Sequence, residues 1–150
     1  MPLTDITEIT DEFVDQFNTL EAQLSRNPID SHHEDLLDVQ KRHESELMMC
    51  ACNKEGMLVG VVHASYLATP PKHKLYINSV VVNESERGQG LGKSLMEATL
   101  RQAKEQWPKI KMIMLTNRPN RNNADFYIKL GFSARDKASG DETVMYVKPL

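Results

Sequence analysis

The chain has 150 residues, with 18 basic and 21 acidic side chains and a formal net charge of −3. That length fits a single domain, 1–150, burying roughly 70% of its unfolded surface with no need of a disulfide or metal to hold its core. The acidic excess argues against a nucleic-acid binder, which carries a basic stripe, and no apolar run approaches the ~18 residues of a membrane span.

The N-terminal MPLTDITEIT has neither a basic n-region nor an apolar h-region, so it does not read as a signal peptide, and a cytoplasmic protein is expected. Leu3 to Glu8 reads as a first strand. Thr10 is an N-cap, and Phe13, Phe17, Leu20 and Leu24 recur at helical spacing up to Asn27-Pro28. Ser31-x-x-Glu34 reads as a capping box for a second helix running to about Arg42. The polar residues at its start, Asp30, His32, His33, Glu34 and Asp35, read as a solvated helix entrance, with substrate contact as the alternative. Glu46–Asn53 and Met57–Leu67 form a hairpin around NKEG, with Gly56 supplying a positive φ and Gly60 marking a bulge or a close backbone approach. Cys50 and Cys52, two apart on a strand, share a face and read as reduced buried thiols. No Cys or His spacing fits zinc, so no metal is expected.

Lys74–Val82 is the central strand, β-branched at Val80-Val81-Val82 as a strand covered on both faces requires. Three alternate glycines follow, Gly88, Gly90 and Gly92, and then an amphipathic helix from about Leu91 to Gln106 that presents Leu91, Leu95, Ala98 or Thr99, and Gln102 on one side. Trp107-Pro108 ends it. Met112–Leu115 is a strand, Asn122–Leu130 a helix with Gly131 as its C′ residue, and Thr143–Val147 a closing strand. Strands alternating with helices predict an α/β or mixed α+β sheet.

A strand that runs through glycines into a helix N-terminus makes an anion site. The first helical N–H groups lack intrahelical partners, the peptide dipoles favour negative charge, and glycine lets the backbone approach. Phosphate binding by main-chain amides is therefore expected over Arg87, Gly88, Gln89, Gly90, Leu91, Gly92 and Lys93. A Walker A loop requires a glycine where Arg87 stands, and a dinucleotide fingerprint requires one where Lys93 stands. The bland alternative, a glycine-rich turn with no ligand, leaves three glycines in five residues unaccounted for.

Arg87, Gly90 and Gly92 fit the pattern [RQ]-x-x-G-x-[GA] without a gap. It resembles the pyrophosphate-binding signature of the GNAT superfamily of N-acetyltransferases. SVVVNESERGQGLGKSLMEA resembles that family's strand four, loop and helix three. MIMLTNRPNRNNADFYIKLGF resembles its strand five and helix four, with Tyr127, Gly131 and Phe132 at the motif positions. The strong resemblance covers roughly Met57 to Phe132, as in small bacterial-type members.

This resemblance implies a twisted mixed sheet of about six or seven strands with about four helices, in which strands four and five splay around the cofactor. It implies acetyl-CoA as donor and co-substrate, and a small-molecule or peptide primary amine as acceptor. The pantetheine arm would pair with the free edge of Val80, Val81 and Val82, where backbone N–H groups near Val81 or Val82 stabilise a developing oxyanion. Tyr127 resembles the family's general acid; a phenol of pKa about 10 stays protonated at neutral pH. Its alternative role is core packing beside Phe126. Asn120 or Asn123 would hydrogen-bond the cofactor or act as an N-cap. Many relatives carry a glutamate on strand four, where this chain reads Tyr76-Ile77-Asn78-Ser79. A water ordered by Asn78 or Ser79 could serve as base instead, with Glu84, Glu86, His63 and His73 of lower weight. Homodimers are common among proteins resembling this one. Two other readings stay open: a non-catalytic acyl-CoA sensor on the same fold, and a nucleotide-binding protein built on GQGLGKS.

Overall fold

The computed structural model describes residues 3–5, 9–24, 30–68, 70, 72–117, 124–135 and 144–150. The strands are β1 (Leu3–Asp5), β2 (Glu46–Cys52), β3 (Leu58–Leu67), β4 (His73–Val82), β5 (Ile110–Asn117), β6 (Ser133–Ala134) and β7 (Val144–Pro149). The helices are α1 (Asp11–Glu21), α2 (His33–Lys41), α3 (Leu91–Gln106) and α4 (Ala124–Lys129), with one 3-10 turn at Glu84–Glu86. The strands form one seven-stranded sheet in the order β1-β2-β3-β4-β5-β7-β6. Among the described residues β4 and β5 are the one parallel pair, and every other ladder is antiparallel. A parallel pair needs a crossover, and α3 provides it.

The strand period of two sorts the core into two layers. Leu47, Met49 and Ala51 of β2 point to the α3 side, where they meet Leu75, Leu95, Met96, Ile113 and Leu115. Met48 and Cys50 point to the other side, where Phe17, Leu20 and Leu36 of α1 and α2 cover Val61 and Val81. Burying a leucine or isoleucine of this kind contributes roughly 1.5–3 kcal/mol. Neither Cys50 nor Cys52 is in a disulfide, and burial pushes the Cys52 thiol up.

Local chemistry explains the element ends. Thr10 caps α1, its Oγ1 accepting from Phe13 N–H at 3.1 Å. Gly56 takes φ +80° in the β2–β3 turn. Gly60 lies beside the bulge that shifts the β2–β3 register, and a Cβ there would sit 2.7 Å from Leu95 Cδ1, so it is also a close approach.

One expectation needs correction, and two features were not foreseen. The cap of α2 is His32, not Ser31: Asp35 accepts from His32 N–H at 2.7 Å, while Ser31 exchanges backbone hydrogen bonds with the Asn18 side chain. The buried face of α3 includes Met96 and Ala103, with Gln102 half-buried, because the apolar stripe turns with the 3.6-residue period. The two-residue β6 was not foreseen; Ser133 and Ala134 pair with Val147 and Tyr146 and are themselves exposed, so no apolar pattern marks them.

Candidate functional site

The parallel ladder between β4 and β5 runs from His73–Ile110 to Ile77–Leu115 and stops. β4 continues against β3 as far as Val82–Gly60, and β5 continues against β7 as far as Asn117–Val144. The sheet therefore parts beyond Ile77 and Leu115, leaving one edge of residues 78–82 facing an opening. Asn83 N–H donates to Val59 C=O at 2.8 Å. Strand alternation then turns the backbone groups of Val82 and Val80 to the open edge and those of Val81 toward β3. Val80 and Val82 are half-buried against the α3 layer, and Val81 is buried in the α1 layer.

A cleft of about 600 Å³ occupies this opening. Val80–Val82 form its floor, the glycine turn its mouth, Gln23 and Leu24 beyond α1 one wall, and Phe126 and Tyr127 of α4 the other. Gly88 and Gly90 have φ +81° and +79°, and a Cβ built on either meets no heavy atom within 4 Å. Gly90 is the N-cap of α3, and the first intrahelical bond runs from Ser94 N–H to Gly90 C=O at 3.0 Å. The N–H groups of Leu91, Gly92 and Lys93 are thus without intrahelical acceptors at the cleft mouth. Gly92 serves a different need: a Cβ there would lie 3.2 Å from the Phe126 ring, so its absence lets α3 and α4 close together. Gln89 is exposed in the turn and does not line the cleft.

Arg87 ties the wall to the floor. Its Nε donates to Val82 C=O at 3.1 Å and its Nη2 to Gln23 Oε1 at 3.0 Å. Lys93 stands 3.9 Å from Glu97 with both side chains exposed, a pair that contributes little.

Tyr127 is fixed by the way α4 ends. Gly131 N–H donates to Ile128 C=O at 2.9 Å and Phe132 N–H to Tyr127 C=O at 3.0 Å, with Gly131 at φ +93°. These are the two bonds of a Schellman motif, whose accompanying apolar contact joins Phe132 to Tyr127. Their rings meet edge-on at 5.9 Å, and Tyr127 also packs on Phe126 and Tyr146. Tyr127 is 7% exposed and lines the cleft, so it is a core side chain and a site side chain at once. Asn120 and Asn123 lie outside the described residues.

The polar residues beside the opening were only partly foreseen. A bulge between His63–Ser79 and Ala64–Ile77 makes Asn78 the extra residue, and Asn78 and Ser79 bond to groups on the α1 side. Asn78 Nδ2 donates to Ser65 Oγ at 2.7 Å, and Ser65 Oγ donates to Glu46 Oε2 at 2.6 Å. His63 Nε2 stands 2.8 Å from the same Glu46 oxygen. Ser79 Oγ donates to Glu21 Oε1 at 3.0 Å. Burial raises the Glu21 carboxyl above its ordinary value, while the Ser79 hydrogen bond and the charge of His63 pull it back. No sequence signal singled out Glu21, which ends an ordinary amphipathic helix. His73 is at the opposite end of β4, beside Tyr66, which stacks on Trp107 at 5.2 Å. Glu84 and Glu86 lie in the 3-10 turn before the glycines. Among the described residues no group of three or more His, Cys, Asp or Glu could hold a metal ion. No helix among them is long and apolar enough to cross a membrane.

This splayed sheet has close structural relatives. A Trypanosoma brucei acetyltransferase is 23% identical with a TM-score of 0.73, over 91% of this chain and 95% of that one. The PaiA N-acetyltransferase of Thermoplasma acidophilum, solved with coenzyme A, is 16% identical with a TM-score of 0.77 over the whole of both chains. An aminoglycoside 6'-N-acetyltransferase complexed with coenzyme A is 15% identical with a TM-score of 0.77, over 99% of this chain and 97% of that one. A search of curated proteins finds no match. The model of the acetyltransferase (GNAT) family matches residues 6–132, and the chain belongs to that family.

Proposed function

We propose that this protein is an acetyl-CoA-dependent N-acetyltransferase that transfers the acetyl group to a small-molecule or peptide primary amine by direct attack in a ternary complex. One observation carries the reading: an unpaired strand edge, residues 78–82, leads within one cleft to a helix N-terminus with free N–H groups. An amide-bearing arm that ends in a pyrophosphate matches both features. The family membership and the coenzyme A held by two of the relatives support it.

Bound acetyl-CoA supplies an activated acyl carbon. The N–H groups of Leu91, Gly92 and Lys93 hold the pyrophosphate, and the open space at Gly88 and Gly90 admits it. With the Val82 C=O held by Arg87, the Val82 N–H and the edge groups of Val80 pair with the arm and direct an N–H at the thioester oxygen, where negative charge develops. The amine nitrogen bonds to the acyl carbon as the carbon–sulfur bond breaks. Tyr127 gives its phenolic proton to the departing sulfur, and the phenolate recovers a proton from the acylated nitrogen, leaving a neutral amide and the free thiol.

The test is calorimetric titration of acetyl-CoA into the wild type and into Gly90→Asp. The aspartate side chain would enter the open space at the mouth with a charge that repels phosphate. Micromolar binding by the wild type, weakened at least about tenfold in the variant, is the expected result. Absence of binding to the wild type would sink the reading. Tight binding with no thiol released in the presence of any amine would favour an acyl-CoA sensor.

A further inference from the structure

We propose that Glu21, at the end of α1, takes the proton from the attacking amine. The proposal rests on the N-acetyltransferase reading and assigns that site its missing base. An aliphatic amine of pKa about 10 is protonated near neutral pH and must lose a proton before or as it attacks. β4 offers no carboxylate at the opening. If the phosphate end of the donor sits at Gly88–Lys93, the arm runs back along β4 from Val82 past Val80 toward Ser79, which lies about 10 Å along the strand from Val82.

A carboxylate reaches this stretch of β4 from another element. α1 crosses β4 so that Glu21 reaches the Ser79 hydroxyl at 3.0 Å. Ser79 immediately precedes Val80, whose backbone faces the open edge. The Ser79 hydrogen bond fixes one carboxylate oxygen and leaves the group oriented by strand and helix together. The other candidates are engaged or distant. Asn78 donates to Ser65, His63 is bonded to Glu46, and His73 is at the other end of β4.

The groups that face Glu21 are Ser79 from β4 and His63 from β3, with Glu46 of β2 behind the histidine. Arg87 is bonded to Gln23, two residues on. α2 approaches α1 at its other end, where His33 meets Asp11. Burial makes the Glu21 carboxylate more basic than an exposed one, which suits a proton acceptor working near neutrality. In the step, the ammonium group passes one proton to Glu21, and the electron pair freed on nitrogen forms the bond to the acyl carbon as the carbon–sulfur bond breaks. Tyr127 protonates the sulfur, and the Tyr127 phenolate takes the second proton from the nitrogen to leave the neutral amide. Solvent at the half-exposed face then takes the proton from the carboxyl group.

The test compares the wild type with Glu21→Gln, which keeps an acceptor for the Ser79 hydroxyl. Acetyl-CoA affinity is measured first, then thiol release with propylamine, which is charged near neutral pH, and with hydroxylamine, which is neutral. The expected result is unchanged acetyl-CoA affinity, a loss of about 100-fold or more in kcat/KM for propylamine, and little loss for hydroxylamine. Equal losses for both amines, or no loss, overturn the assignment. A wild type that fails to bind acetyl-CoA brings down the underlying reading and this one with it. If the wild type binds but acetylates neither amine, difference infrared titration of the Glu21 carboxyl in the coenzyme A complex decides. A midpoint that coenzyme A shifts from its value in the unliganded protein upholds the proposal, and one that binding leaves unchanged overturns it.

Discussion

At the scale of single residues, Tyr127 and Glu21 make separable predictions. The Tyr127 ring is held by Phe126, Phe132 and Tyr146, so Tyr127→Phe keeps the packing and removes only the hydroxyl. We expect kcat to fall about 100-fold while acetyl-CoA affinity stays unchanged. A melting temperature displaced by more than a few degrees would instead mark the hydroxyl as chiefly structural, at about 1 kcal/mol for one buried hydrogen bond. Glu21 predicts a pH dependence of stability. Its folded pKa is raised, mainly by burial. Between the unfolded and the folded value the folded state binds more protons, so stability is present below the unfolded pKa and is lost as pH rises through the folded one. Glu21→Gln should melt with the wild type near pH 4 and above it near pH 7, a difference that paired thermal melts will read. A variant less stable than the wild type at neutral pH would contradict the burial argument.

At the scale of elements, the approach of α3 to α4 depends on Gly92. Alanine there sets two effects of similar size against each other. Helix propensity favours it over glycine by about 0.8–1 kcal/mol, and a Cβ 3.2 Å from the Phe126 ring opposes it. Valine adds two more carbons against the same ring and loses part of the propensity gain. Gly92→Val should therefore cost roughly 1–3 kcal/mol of stability and weaken acetyl-CoA binding, because it pushes α4 and the cleft wall away. Denaturant melts and calorimetry of the variant check both parts. The end of α1 is positioned by a different device, the Arg87 guanidinium bridging Gln23 and Val82.

For the whole molecule, the cleft lies where the seven-stranded sheet parts, between an α3–α4 layer and an α1–α2 layer. A ligand bound there touches both layers and resists global unfolding. At a hundredfold excess over Kd, acetyl-CoA should stabilise the fold by about 2.7 kcal/mol, or roughly 5–10 °C in melting temperature. ATP at the same concentration should give no comparable shift, because the glycine turn departs from a Walker A loop at Arg87. A larger shift with ATP would favour the nucleotide reading.

Much of this was legible from the chain alone because it depends on local chemistry. Gly56 and Gly131 at positive φ, Thr10 as a cap, and the hairpin between β2 and β3 all follow from interactions a few residues apart. The glycine turn is equally local, since a helix N-terminus and its glycines lie within one short stretch. The shift of the α2 cap from Ser31 to His32 shows the limit: Ser31 was claimed by Asn18, 13 residues away. What only the tertiary structure decided is the meeting of distant segments. The sheet parts because β5 follows β7 while β4 follows β3, and no single strand encodes that divergence. Glu21 reaches Ser79 across 58 positions of sequence. The carboxylate that β4 lacks in its own sequence is supplied through space by a helix, because side-chain chemistry at a site is set by packing and not by order along the chain.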